Sequence, residues 1–146
     1  MKHQPIEWKH DYELGIEHVD FQHHFFLNLI NRLFDELEIT NDSRYRNALL
    51  NELCAYAKFH FISEENMMYR AGYPGLEEHQ KLHCELIEKL SNKESYLWIE
   101  QSLHNTRVLM NFLLDWFFHH TLNEDKLFAN YLSNKDRTFA RQVGRW

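Results

Sequence analysis

The sequence predicts an all-α chain folded as an antiparallel up-down four-helix bundle, with an N-terminal arm and a short C-terminal helix. Three observations predict it. Only four Gly and two Pro occur in 146 residues, far fewer than the tight turns of a β-rich fold demand. Apolar residues recur at steps of three and four through four long segments, the period of one helix face. The links between those segments are short, and short links make neighbouring helices antiparallel.

Residues 1–16 form the arm, punctuated by Pro5 and Gly15. From about Glu17 the inward face reads His23, Phe26, Leu27, Ile30, Leu33, Phe34 and Leu37. Asn41-Asp42-Ser43 offers a cap for a second helix, whose inward face carries Leu49, Leu50, Leu53, Tyr56, Ala57, His60, Glu64, Met67 and Met68. Gly72-Tyr73-Pro74-Gly75 is the strongest breaker in the chain. A third helix follows, with Leu76, His79, Leu82, His83, Leu86, Ile87 and Leu90 on one side. A fourth runs from about Tyr96 to His120, aligning Leu103, Leu109, Met110, Leu113, Trp116, Phe117 and His120. Thr121-Leu122-Asn123-Glu124 has the form of a capping box, so a short helix carrying Asp125, Phe128, Ala129 and Leu132 is expected to start there. The bundle covers about residues 17–132, a tail occupies 133–146, and residues 1–146 read as one domain.

Bulk properties exclude several classes. Hydrophobic residues make up 44% and aromatics 15% of the chain, too rich for disorder. A net charge of −6, from 16 basic and 22 acidic residues, argues against a nucleic-acid partner. Met1 to His10 contains no apolar run, so no signal peptide is read. Val108 to Phe118 is interrupted by Asn111 and Asp115 and is too short for membrane insertion. Cys54 and Cys84 lie in no CxxC and make neither a disulfide framework nor a zinc motif; a cytoplasmic setting is the expectation. In the tail, Lys135, Arg137, Arg141 and Arg145 face a single acid, as a docking segment or as a solvated end. The outlier is eleven histidines, which points to imidazole metal ligation.

Helical phase selects among those histidines. From His23, steps of three, four and seven reach Phe26, Leu27 and Ile30; from His24, steps of four, seven and eleven reach Asn28, Asn31 and Asp35. His23 therefore points inward and His24 to water. His120 follows Trp116, Leu113 and Leu109 by four, seven and eleven, whereas His119 follows Asp115 and Asn111, so His120 is the inward one. His60 with Glu64, and His79 with His83, are pairs four apart that share a face. His120 and Asp125 are five apart, about 140° off on an unbroken helix. The expected break at Thr121 brings them together, with a π-bulge in a continuous helix as the alternative. One inward histidine is ordinary core. Five imidazoles and two carboxylates in one small core cannot all be satisfied cheaply; two metal ions bridged by the carboxylates would satisfy them. Nitrogen and oxygen donors without thiolate favour iron or manganese over structural zinc.

Trp8, Gly15-Ile16, Asp20-Phe21-Gln22-His23, His60-Phe61-Ile62-Ser63-Glu64-Glu65, Gly72-Tyr73-Pro74, His79 with His83, and Trp116, His120 and Asp125 occur in this order. Together they resemble the bacterial hemerythrin family, from Trp8 to about Leu132. The resemblance implies two iron ions, cycling between Fe2+ and Fe3+, with a bridging oxo or hydroxo group. His79, His83 and His120 would hold one iron; His23 and His60 would hold the other and leave it an open position; Glu64 and Asp125 would bridge them. Dioxygen would bind end-on at the open iron, taking an electron from each, and release would reverse the transfer. The implied role is oxygen carrier, store or sensor, not enzyme.

Other residues keep two readings each. Phe26, Phe61, Trp116 and Phe117 wall an oxygen pocket or simply pack the core. Asp20 backs His23 or acts as an exposed cap. His3, His10, His18, His24, His104 and His119 are read as surface residues, and no protein partner is legible. The competing function is a di-iron oxidase or peroxidase, or a nitric-oxide-handling protein. Ferritin-like oxidases use paired Glu-x-x-His motifs, and the only such spacing here, Glu7 to His10, lies in the arm.

Overall fold

The computed structural model describes residues 5–92 and 102–135. Among them all regular structure is helical. α1 spans Glu17–Ile39, α2 Ser43–Ala71, α3 Leu76–Ser91, α4 Leu103–His119 and α5 Lys126–Lys135. A 3-10 turn, His10–Tyr12, lies in the arm, and a π-helical segment, His120–Asp125, joins α4 to α5. α1 packs on α2 and α4, and α2 packs on α3. This is the antiparallel bundle the apolar spacing predicts. No helix among the described residues is long and apolar enough to cross a membrane.

Local chemistry sets the helix ends. The Asp42 carboxylate accepts from the amides of Arg44 and Tyr45 at 2.9 and 3.4 Å, satisfying donors that a helix start leaves free. After α2, Gly72 adopts φ 67°, and the amides of Gly72 and Tyr73 return to the carbonyls of Tyr69 and Met68, a Schellman closure. α4 opens on Ser102, whose hydroxyl accepts from Asn105 N at 3.0 Å. The expected start near Tyr96 lies outside the described residues, as do His3 and the tail beyond Lys135. At the other end of the chain, Asp20 accepts from the amides of Leu14 and Gly15 at 2.7 and 3.0 Å. It caps the turn that leads the arm into α1.

The junction after His120 differs from expectation. His119 and His120 have ordinary right-handed helical angles, so no break occurs and Thr121 caps nothing. Thr121 is buried inside a continuous helix whose hydrogen bonding widens to the i→i+5 pattern for six residues. A π segment frees a carbonyl from its usual partner; here the Asn123 side-chain amide donates to the carbonyl of His119 at 2.8 Å. Thr-x-x-Glu resembles a cap in sequence, but helix on both sides and burial of the threonine override that local signal.

Two apolar clusters lie on either side of a polar layer. The larger one gathers Phe26 to Leu37 of α1, Leu49 to Phe61 of α2, Leu86 and Leu90 of α3, and Leu109, Leu113 and Phe117 of α4. The smaller gathers Ile16, Val19, Met67, Met68, Ala71, Phe128, Ala129 and Leu132. His23, Glu64 and Asp125 fall between the two along their helices, so the bundle's own core shields them from water at both ends.

Candidate metal centre

All seven residues singled out by phase and spacing meet in that layer, and all seven are buried. They divide into two sets that share both carboxylates. His79, His83 and His120 gather with Glu64 and Asp125; His23 and His60 gather with the same two acids. Each carboxylate turns one oxygen to each set. Glu64 Oε1 lies 2.7 Å from His79 Nε2 and 3.5 Å from His83 Nε2, while Oε2 lies 3.5 Å from both His23 Nε2 and His60 Nε2. Asp125 Oδ1 lies 2.8 Å from His79 Nε2 and 3.1 Å from His120 Nε2, and Oδ2 lies 3.1 Å from His23 Nε2.

The donors fit a pair of cations better than they fit each other. Both nitrogens of His23, Glu64 Oε2 and both oxygens of Asp125 are buried without an aligned hydrogen bond, which is costly unless something else satisfies them. His83 Nε2 and His79 Nε2 stand 2.9 and 3.1 Å from His120 Nε2. His83 Nδ1 donates to Glu65 Oε2 at 2.7 Å, so in neutral His83 the Nε2 lone pair faces this gathering. Three imidazole edges converge where a positive charge is needed, and no thiolate is among the donors. Such a set suits iron or manganese.

The four aromatic residues split between the two sets. Phe117 is 5.8 Å from the His23 ring, and Phe26 is 6.1 Å from His60 and 5.6 Å from Phe117. On the other side, Phe61 stacks on His83 at 3.9 Å and Trp116 on His120 at 4.4 Å. Of the remaining histidines, His10, His24, His104 and His119 are exposed, and His24 stacks on Trp8 at 5.0 Å. His18 is half-buried and meets Gln22 Nε2 at 3.0 Å. His60→Ala is therefore expected to empty the two-imidazole position, while His24→Ala and His119→Ala keep the parent metal content. Equal metal loss by elemental analysis in the His24 variant would show that the helical register is wrong.

Two residues that sequence reasoning left without a role touch the imidazoles from behind. Glu65 receives the His83 Nδ1–H bond. Gln22 Oε1 accepts from His60 Nδ1 at 2.7 Å, while Gln22 Nε2 donates to Ser63 Oγ at 3.1 Å. Tyr56 OH in turn donates to the Gln22 carbonyl at 2.7 Å. The only hint in the sequence was adjacency, Gln22 before His23 and Glu65 after Glu64.

Without metal, protons hold the layer together. Burial disfavours charge on His23 and His79, but Asp125 and Glu64 outweigh it and push their pKa values up to about 9 and about 10. Burial and the neighbouring His23 push His60 down to about 3. Burial raises both Glu64 and Asp125, and Asp125 raises Glu64 further, yet the surrounding imidazoles hold both below the usual carboxylate range. The signs then follow by proton linkage. As pH rises from about 6.5, the unfolded histidine value, through about 9 to 10, the fold loses the stability it gains from protonated His23 and His79. As pH falls below about 6.5, the unfolded chain takes a proton that buried His60 refuses, and below about 4 it takes those that Glu64 and Asp125 refuse. The melting temperature of the metal-free protein should peak near pH 6.5 and fall on both sides; a flat profile from pH 4 to 10 would contradict it.

A helical bundle whose core holds two imidazole sets sharing two carboxylates defines a dinuclear metal-binding protein. The family model of the hemerythrin HHE cation binding domain matches residues 14–132. The chain belongs to the hemerythrin family. It is 28% identical to a bacteriohemerythrin of Stenotrophomonas maltophilia, over 97% of this chain and 92% of that protein. It is also 28% identical to a bacteriohemerythrin of Clostridium acetobutylicum, over 82% of this chain and 95% of the other. A myohemerythrin of Theromyzon tessulatum is 29% identical over 60% of this chain and 67% of that protein.

Proposed function

We propose that this protein binds dioxygen reversibly at a non-haem di-iron centre, held by His79, His83 and His120 on one side and by His23 and His60 on the other, with Glu64 and Asp125 between. The observation that carries this reading is the division of each carboxylate, one oxygen to each imidazole set. Two bound irons supply the pair of electrons that reversible dioxygen binding takes and returns. The set with two imidazoles has one fewer protein donor and is the natural place for a small ligand to enter. Phe26 and Phe117 wall that side and keep water from it, so that charge separation at the centre is not captured by solvent. Phe61 and Trp116, stacked on His83 and His120, hold the opposite imidazoles edge-on to the layer. The hydrogen-bonded Gln22 and Glu65 fix which nitrogen of His60 and His83 faces inward.

Residues 1–146 act as one domain in this reading. It works as a carrier, store or sensor in the cytoplasm, where the Cys54 and Cys84 thiols, neither of them in a disulfide, remain reduced. Histidine-rich ligation with two carboxylates suits reversible binding over oxidation of resistant substrates. The test is anaerobic titration of the reduced, iron-loaded protein with dioxygen. Charge-transfer bands should appear with dioxygen and vanish on its removal over repeated cycles, at two irons per chain. Irreversible oxidation coupled to steady consumption of a reductant would favour an oxidase or peroxidase instead.

A further inference from the structure

One imidazole in each set is backed from behind, and the two backing groups differ in charge. On the three-imidazole side, His83 Nδ1 donates to the Glu65 carboxylate at 2.7 Å, and Gln80 Nε2 steadies the other oxygen at 3.4 Å. On the two-imidazole side, His60 Nδ1 donates at 2.7 Å to the neutral amide of Gln22. That amide is buried and cannot turn over freely, because its nitrogen is committed to Ser63 Oγ at 3.1 Å and His18 Nε2 at 3.0 Å. An imidazole that donates to a carboxylate is the more basic ligand through its other nitrogen. One that donates to an amide gains orientation without that push.

We propose that Glu65 and Gln22 are positioning residues that make the two metal positions electronically unequal, Glu65 favouring the higher oxidation state on the three-imidazole side and Gln22 leaving the two-imidazole side easier to reduce. The inference rests on the dinuclear reading above. Both residues fix the same tautomer, with Nδ1 protonated and Nε2 facing inward, so they differ in charge and not in orientation. The inequality gives direction to the centre. With both positions filled, the Gln22-backed side would be held more readily as Fe2+ and the Glu65-backed side would better accommodate Fe3+.

The test uses the full chain, iron-loaded, with potentials read by spectroelectrochemistry and iron counted in every sample. Glu65→Gln keeps the size and an acceptor oxygen but removes the charge. It should weaken the preference for Fe3+ about tenfold, the lower end for loss of a group behind a ligand, which raises the one-electron midpoint by about 59 mV. Gln22→Glu should move the midpoint the opposite way. Glu88→Gln is the control, because Glu88 lines the same groove between α2 and α3 as Glu65 and His83 and makes no bond to His83; it should leave the midpoint in place. A Glu65→Gln shift no larger than that of Glu88→Gln, in protein that still holds two irons, overturns this inference and leaves the dinuclear reading intact. A parent protein that never binds two irons overturns both.

Discussion

Glu64→Gln should reduce the iron content from two ions per chain to one or fewer. The substitution is nearly isosteric, so the bundle has no cavity to collapse into. The loss comes from what an amide cannot do. Glu64 presents an oxygen to each imidazole set, at 2.7 Å from His79 and at 3.5 Å from His23 and His60. Glutamine has one oxygen, and whichever set receives it, the other meets an N–H2 group aimed where a cation should sit. The negative charge that offsets the cations also disappears. Loss of affinity should exceed the roughly 10–100-fold typical of removing a group behind a ligand, and elemental analysis after gel filtration reads it directly. Two tightly held irons in the Glu64→Gln protein would mean that Glu64 does not bridge.

Phe117→Ala is the second large effect, and it separates a pocket wall from plain packing. Phe117 is 3% exposed and joins the larger apolar cluster. Truncating such a side chain costs about 3–5 kcal/mol. Phe34→Ala should cost a similar amount, since Phe34 is fully buried in the same cluster. Phe34 lies eleven residues beyond His23 on α1, about 16 Å along the axis, whereas the Phe117 ring is 5.8 Å from that of His23. Urea unfolding should therefore show two comparably weakened proteins, while only Phe117→Ala oxidises many times faster once oxygenated. If both variants oxidise at the parent rate, Phe117 packs the core and does nothing further.

What could be read from the sequence was whatever depends on period. Apolar steps of three and four place α1 to α4, and phase alone separates His23 from His24 and His120 from His119. The seven polar residues on apolar faces stand out because burying them is costly, and the structure gathers all seven. Contacts made from behind were not legible. Gln22 and Glu65 lie beside ligands in sequence, and nothing in a one-dimensional pattern distinguishes a side chain that grips an imidazole from one that faces water. Thr121 failed for the opposite reason. A local pattern with a well-understood mechanism was present, but helix on both sides removed the free donors it would have served.

The π segment has a consequence for how relatives are compared. In an α-helix the residue four positions on shares a face, and in an i→i+5 segment it is the fifth. His120 and Asp125 face one layer across five positions because the widened turn absorbs one residue. A relative with the same two ligands four apart in an unbroken α-helix would build the same layer one residue shorter, and an alignment of the two would place a single-residue gap inside what both proteins use as one continuous helix. Ligand spacing at this junction is therefore a matter of angular phase, and the count of residues between the two ligands follows from the turn that joins them.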